Sequence, residues 1–243
     1  ADSNAIHPAY LPITSNTIIL WWDSAVVCNL SNASEATDTA AKELGIDFII
    51  CDHHVPDAEL PCAVAILNPK REDNRYPYTD LSGCGVGFKF MQAFAQSNGI
   101  EFNQLHQLLD LCVISIASDI VPIMGENRIL AYHGLRILNS KPSVGLRAVC
   151  EICGVGDREV TMNDIIFKIG PRLNASGRMQ NGKEAVQLLV ERNPAEALEL
   201  ANLIDQYNDA RKDLDKQMTE EAIEIAKQTP GIDDHRSVVI YNE

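Results

Sequence analysis

Asp52-His53-His54 places a carboxylate and two imidazoles side by side, directly after the apolar run Ile46-Asp-Phe-Ile-Ile-Cys51. Carboxylates suit hard divalent ions such as Mg²⁺ and Mn²⁺, and Mn²⁺ also accepts imidazole. Such a triplet alone also fits a solvated loop with two ordinary histidines. A second carboxylate narrows the choice: Asp119 lies inside Ile114-Ser-Ile-Ala-Ser-Asp-Ile-Val-Pro-Ile123. An unpaired carboxylate in apolar surroundings costs several kcal/mol. It therefore needs a cation, several hydrogen bonds or a wet cleft, and Arg128 in Gly125-Glu-Asn-Arg128 is one available partner.

A basic cluster follows in Lys168-Ile-Gly-Pro-Arg-Leu-Asn-Ala-Ser-Gly-Arg-Met179. Lys168, Arg172 and Arg178 stand there with Asn174, Ser176 and Gly177 in what reads as a turn-rich segment. Small residues let backbone N–H groups approach an anion, and arginine grips phosphate with two bonds. Pairing of the arginines with acidic neighbours is the alternative. Ser82-Gly-Cys-Gly-Val-Gly-Phe88 opens a helix and can cradle phosphate at its N-terminus, but it matches neither common nucleotide-loop pattern, and tight turn packing is the better reading.

The elements that must carry these residues alternate at first. Ala1 to Asn16 has no periodicity. Thr17 to Trp22 reads as a buried strand, Asn32 to Leu44 as a helix capped by Asn32 or Ser34 and stopped by Gly45, Ile46 to Cys51 as a second strand, and Ala63 to Leu67 as a third, ended by Asn68-Pro69. Strand, helix, strand with short links predicts a parallel sheet, and ligands bind outside the carboxyl ends of its strands, where Asp52-His53-His54 falls. Helices are predicted over Gly87 to Ser97, Leu105 to Ile123, Asn127 to Leu138 and Val144 to Cys153, and Thr161 to Ile169 leads into Pro171. From Pro194 to Gln228 apolar residues recur every three or four positions, which predicts one helix of about 50 Å. Thr229-Pro-Gly231 ends it, and Ser237 to Tyr241 reads as the first strand of a further unit. The division expected is a core over 1–192, a connecting helix over 193–229, and the severed edge of a second domain over 230–243.

Composition sets outer bounds. With 46% apolar and 22% charged residues, the 243-residue chain is that of an ordinary globular protein. Its 20 Lys and Arg against 34 Asp and Glu leave a net charge of −14, so a polyanion must be held by a metal or a local basic cluster rather than by the overall field. An anionic membrane is excluded as a partner on the same ground, and no apolar run is long enough for a transmembrane helix. Seven cysteines, an odd number scattered through apolar stretches, suit reduced core thiols in the cytoplasm. Cys150-Glu-Ile-Cys153 lacks the second pair that a structural zinc needs. No signal peptide is expected, because the first twenty residues lack a basic start and a long apolar centre.

Taken together, Asp52-His53-His54 with Val55-Pro56, Asn68-Pro69-Lys70, Leu81 to Gly87, Ser118-Asp119-Ile-Val-Pro122, Gly125 to Arg128 and Pro171-Arg-Leu-Asn-Ala-Ser-Gly-Arg178 resemble, in order and gaps, the RecJ family. These are single-strand-specific 5′→3′ DNA exonucleases among the DHH phosphoesterases. The resemblance runs from about Ala41 to the C-terminus. It implies an α/β fold: a parallel-sheet DHH phosphoesterase core flanked by helices, then a long connecting helix, with the second domain (DHHA1) largely absent. It implies two divalent ions, Mn²⁺ or Mg²⁺. By the match, His53 and Asp119 are metal ligands, His54 stands near the scissile phosphate with Asp52 supporting the site, and Arg172, Arg178, Asn174 and Lys168 meet substrate phosphate. Single-stranded DNA is the implied partner, with single-strand-binding protein or other repair proteins beside it.

Two parts of the family pattern are missing. The first motif, D-x-D after a strand, has no counterpart, since Ala1-Asp-Ser-Asn4 is a poor match. The position of the metal-bridging Asp falls at Asn29, and Asp23 is the one nearby carboxylate at a strand end. The expectation is a truncated or altered N-terminus, an incomplete metal site that holds one ion poorly or none, and a weak or inactive nuclease. Two other functions fit the same residues: a DHH-type phosphatase or oligonucleotide phosphodiesterase, and a non-catalytic scaffold on the same fold.

Overall fold

Strand β2 (Asp47–Cys51) lies between β1 (Ala25–Cys28) and β3 (Ala65–Leu67), and all three run parallel. This computed structural model describes residues 25–28, 47–179, 182–229 and 237–240. The register sets Val27 opposite Ile49 and Ile50 opposite Ile66. Ile50 is fully buried and Ile49 is half-buried, as expected of a central strand covered on both faces. The strands expected at Ile46 to Cys51 and Ala63 to Leu67 are present, the second shortened at its start. The strand expected at Thr17 to Trp22, the helix expected at Asn32 to Leu44, Asp23 and Asn29 all lie outside the described residues. The strand Ala25–Cys28 was not anticipated, because four residues carry too little pattern to stand out.

Helix α1 (Gly83–Ser97) begins four residues earlier than the periodicity suggests. Ser82 caps it, its Oγ accepting the Gly85 N–H at 3.2 Å, so the glycine-rich segment is the first helical turn. The long apolar run does not form one helix. Two 3₁₀ turns, Phe102–Gln104 and His106–Leu108, precede α2 (Leu109–Ser118), which stops at Asp119. Ile120 then takes φ +54°, and Val121 before Pro122 is biased away from helix. The apolar sequence continues while the backbone cannot.

Helix α3 (Gly125–Ser140) packs along α2. Their approach is close enough that a Cβ on Gly134 would overlap the Leu109 carbonyl oxygen. After α4 (Val144–Ile152), a capping box at Thr161 and Asp164 starts a continuous helical stretch. It comprises Met162–Asp164, one π-helical turn at Ile165–Ile169, and α5 (Gly170–Met179). The segment expected to be turn-rich is therefore helical. Pro171 stands near the start of α5, directly after the widened turn, where its ring and missing N–H disturb the ladder least.

Helix α6 (Lys183–Val190) leads to α7 (Pro194–Gln228), whose bounds match the expectation. Its first half buries Ala197, Ala201, Ile204 and Asn208 against α4, α5 and α6, whereas Leu214 and Met218 further along are exposed. The core runs through Cys112, Val113, Ile116, Leu146, Val149, Ile165, Ile169 and Leu188. Residues 237–240, expected to form a strand, are unpaired, since no neighbouring strand among the described residues offers them a ladder. No helix among the described residues is long and apolar enough to cross a membrane.

Candidate metal centre

The carboxyl end of β2 delivers Asp52, His53 and His54 in three consecutive residues. The Asp52 N–H donates to the Leu67 carbonyl at 3.0 Å, extending the ladder by one residue and burying the Asp52 side chain completely. His54 turns outward, but its Nδ1 stays 2.7 Å from Asp52 Oδ1. A carboxylate accepts, so Nδ1 carries the hydrogen and Nε2 is left for whatever enters. Asn68 secures the loop from the far side: Nδ2 donates to the His54 carbonyl at 2.9 Å, and Oδ1 accepts the Lys70 N–H at 2.9 Å.

His53 points toward α2. Its Nε2 lies 3.8 Å from Asp119 Oδ2. The site residues read from two distant parts of the chain thus meet across the end of the sheet. Asp119 sits at the C-cap of α2, the negative end of the helix dipole, where a carboxylate is unfavourable. Its side-chain partners are Ser115 Oγ, donating at 3.2 Å, and His53. Burial holds the His53 imidazole below its ordinary pKa, the opposing pull of Asp119 notwithstanding. A neutral imidazole thus faces a carboxylate, which leaves a net negative charge. Arg128, the partner considered for Asp119 in the sequence, makes no ion pair with it.

The loop after Asp119 is fixed as well. Buried Asn127 donates from Nδ2 to the carbonyls of Asp80 at 2.6 Å and Pro122 at 3.0 Å. That tie holds Ile120 in the left-handed region despite the strain of a β-branched side chain there.

Donor atoms of Asp52, His53 and His54 lie within 4.8 Å of one another. Asp52 Oδ2 and His53 Nδ1 are buried and lack hydrogen-bond partners. Orphaned buried polar atoms are rare because each costs its full desolvation. A buried carboxylate oxygen and two imidazoles form a donor set that fits a divalent ion of the Mn²⁺ or Mg²⁺ type, and Asp119 adds a carboxylate on the far side of His53. Charge rather than cavity size locates this site. A cavity of about 790 Å³ between β3, the loop after it and α1 is lined by none of the four residues.

The basic cluster is less uniform than its sequence suggests. Arg172 Nε donates to Asp205 Oδ1 on α7 at 2.7 Å, and its second nitrogen donates to the Lys168 carbonyl at 3.0 Å. Lys168 Nζ lies 3.2 Å from Asp164. Asn174 is exposed, and the Arg178 side chain lies outside what the structure describes. Helix α5 nevertheless starts beside the metal centre, since a Cβ on Gly170 would stand 2.7 Å from Ser118 Oγ, next to Asp119. Sequence reasoning missed Ser115, Gly83 and the role of Asn68. Ser115 was findable, because it precedes Asp119 by one helical turn on the same face.

A parallel sheet ending in Asp-His-His, faced by an aspartate at a helix C-terminus, defines a DHH-type domain. The sequence matches the DHH family, N-terminal domain, over residues 7–116. The chain is also similar to RecJ. It is 41% identical to the single-stranded-DNA-specific exonuclease RecJ of Bacillus subtilis over 82% of this chain and 24% of that protein. It is 35% identical to RecJ of Escherichia coli over 81% of this chain and 36% of that one. The chain thus spans between a quarter and about a third of the curated relatives it matches. A crystal structure of exonuclease RecJ bound to manganese superimposes with a TM-score of 0.69 at 26% identity, covering 85% of this chain and 51% of that one. RecJ of Thermus thermophilus in complex with Mn²⁺ does so with a TM-score of 0.67 at 26% identity, over 82% and 30%.

Proposed function

We propose that this chain is the phosphodiesterase domain of a metal-dependent exonuclease that degrades single-stranded DNA from the 5′ end in DNA repair and recombination, in the cytoplasm. The observation that carries the reading is the 3.8 Å approach of His53 Nε2 to Asp119 Oδ2 at the negative end of α2. His53, Asp119 and the buried Asp52 would hold the ion, with Asp23 as a further ligand. A bound Mn²⁺ or Mg²⁺ supplies a hydroxide nucleophile at neutral pH and offsets charge on the phosphoryl oxygens.

The chain's own residues do the rest. His54, oriented by Asp52, offers Nε2 to a proton at the scissile phosphate. Asn174 and Arg178 on α5 hold the DNA backbone. Arg172 and Lys168, each already tied to a carboxylate, contribute positive field more than direct contact. The layout that goes with this reading is a phosphoesterase core over 1–192, a connecting helix over 193–229 and the start of a second domain over 230–243.

The test is degradation of 5′-labelled single- and double-stranded oligonucleotides by the full chain with and without Mn²⁺. Mn²⁺-dependent loss of the single strand from its labelled end is expected. Equal attack on the duplex, or activity that survives a chelator, would overturn the reading.

A further inference from the structure

Ser115 is a half-buried hydroxyl on α2, one turn before Asp119. A mid-helix serine usually returns its hydroxyl to the carbonyl four residues earlier or leaves it to solvent. This one does neither. Its Oγ accepts the backbone N–H of Cys84 at 3.4 Å and donates to Asp119 Oδ2 at 3.2 Å. A hydroxyl has one hydrogen and two lone pairs, so the two bonds are compatible and fix the direction of that hydrogen toward the carboxylate.

Cys84 is the second residue of α1, and its N–H is one of the four that a helix start leaves without an internal partner. Ser82 satisfies the next one, at Gly85. Ser115 therefore connects the positive end of α1 to a carboxylate stranded at the negative end of α2. Chained bonds of this kind polarise one another, each strengthening the next. On the other side, Gly83 lies against the His53 ring, where a Cβ would stand 3.3 Å from Cδ2. The start of α1 is thus wedged between the two members of the candidate metal pair, touching His53 through Gly83 and Asp119 through Ser115.

We propose that Ser115 is a positioning residue that holds the Asp119 carboxylate in its metal-facing rotamer, using the amino end of α1 as its anchor. This rests on the reading of His53 and Asp119 as metal ligands. Without the hydroxyl, Asp119 keeps its place in the backbone but loses the donor that selects Oδ2 for His53. Its carboxylate would then swing toward solvent and away from the helix end that repels it. Partners one step removed from a metal ligand typically change metal affinity by 10- to 100-fold when deleted.

The experiment compares the full chain with its Ser115→Ala and Ser115→Thr variants by calorimetric titration with Mn²⁺, alongside thermal denaturation and crystal structures of the metal-free proteins. In Ser115→Ala, Mn²⁺ affinity should fall by about tenfold or more, with a melting temperature close to that of the parent. The Asp119 carboxylate should turn away from His53 in the metal-free crystal structure. Ser115→Thr keeps the hydroxyl and should restore both affinity and rotamer. Unchanged Mn²⁺ affinity in Ser115→Ala would overturn the proposal while leaving the metal site intact. A loss in Ser115→Ala that Ser115→Thr does not restore, with the parental Asp119 rotamer kept in both, would overturn it too. Failure of the parent chain to bind Mn²⁺ would overturn the reading of the site and this inference with it.

Discussion

His54 Nδ1 lies 2.7 Å from Asp52 Oδ1, and the two side chains differ as much as neighbours can: Asp52 is fully buried and half of the His54 ring is exposed. The buried member aims the exposed one. Asp52→Asn keeps the shape but replaces an acceptor-only group with one that can also present N–H, so the ring loses its preferred tautomer. Turnover on single-stranded oligonucleotide should fall by about 10²- to 10⁴-fold, the usual scale of losing an oriented acid or base. Steady-state kinetics checks this, with circular dichroism to confirm the fold. Full turnover in Asp52→Asn would show that Asp52 neither holds the ion nor orients His54.

Burial keeps His53 below its ordinary pKa of about 6.5. The sign follows directly. The folded chain binds this proton less readily than the unfolded chain, so the stability that neutral His53 contributes is complete above pH ~6.5 and is lost as pH falls toward the depressed folded value. Mn²⁺ binding needs the unprotonated ring. Affinity measured by calorimetry should therefore hold from pH ~7.5 down to about 6.5 and decline only below it. A steep decline already at pH ~7 would show a raised imidazole.

Gly83→Ala separates site from stability. Replacing glycine by alanine at a position without a positive φ stabilises by about 0.4–1 kcal/mol through the unfolded chain, yet the new Cβ at 3.3 Å must push the His53 ring by a few tenths of an ångström. The melting temperature should stay level or rise while Mn²⁺ affinity drops several-fold. An equal loss in both would mean that the helix start, not the ring, is disturbed.

Asp164 anchors the start of the helical stretch that leads into α5. Arg158, Thr161 and Lys168 hold its carboxyl far below the usual carboxylate range, and the side chain is 8% exposed. Stability from this group is present above pH ~4 and is lost as pH falls further. Asp164→Ala removes the capping box and leaves Arg158 without its carboxylate, so a loss of about 1–3 kcal/mol in urea denaturation is expected. Parental stability would show that the neighbouring turns hold without it.

Thiol reactivity should divide the cysteines sharply. Burial pushes Cys51 and Cys150 each up to about 12, so both stay protonated and slow toward alkylation at pH ~8. Cys62 is exposed. Mass spectrometry after brief iodoacetamide treatment should find Cys62 modified and Cys51 and Cys150 intact, and rapid labelling of Cys51 would mean that the end of β2 opens in solution.

Much of this protein is legible in its residues. The run from Ile46 to Cys51 announces a buried strand, and a parallel strand puts whatever follows it at the ligand edge, so the place of Asp52-His53-His54 was readable. The period of α7 and its stop at Thr229 were readable for the same reason: local pattern and breaker residues act over a few positions. Tertiary structure decided what depends on contacts distant in sequence. The apolar run at 105–123 reads as one helix, but Asp119 reaches His53 only because the helix ends at Ser118, with Ile120 held at φ +54° and the loop tied by Asn127. Arg172 looks like a phosphate ligand until α7 folds back and offers Asp205. Ser115 is one serine among many in the sequence. The packing of α1 against α2 brings Cys84 to its oxygen and gives its hydrogen a fixed target, because a hydroxyl has no direction of its own until two partners impose one.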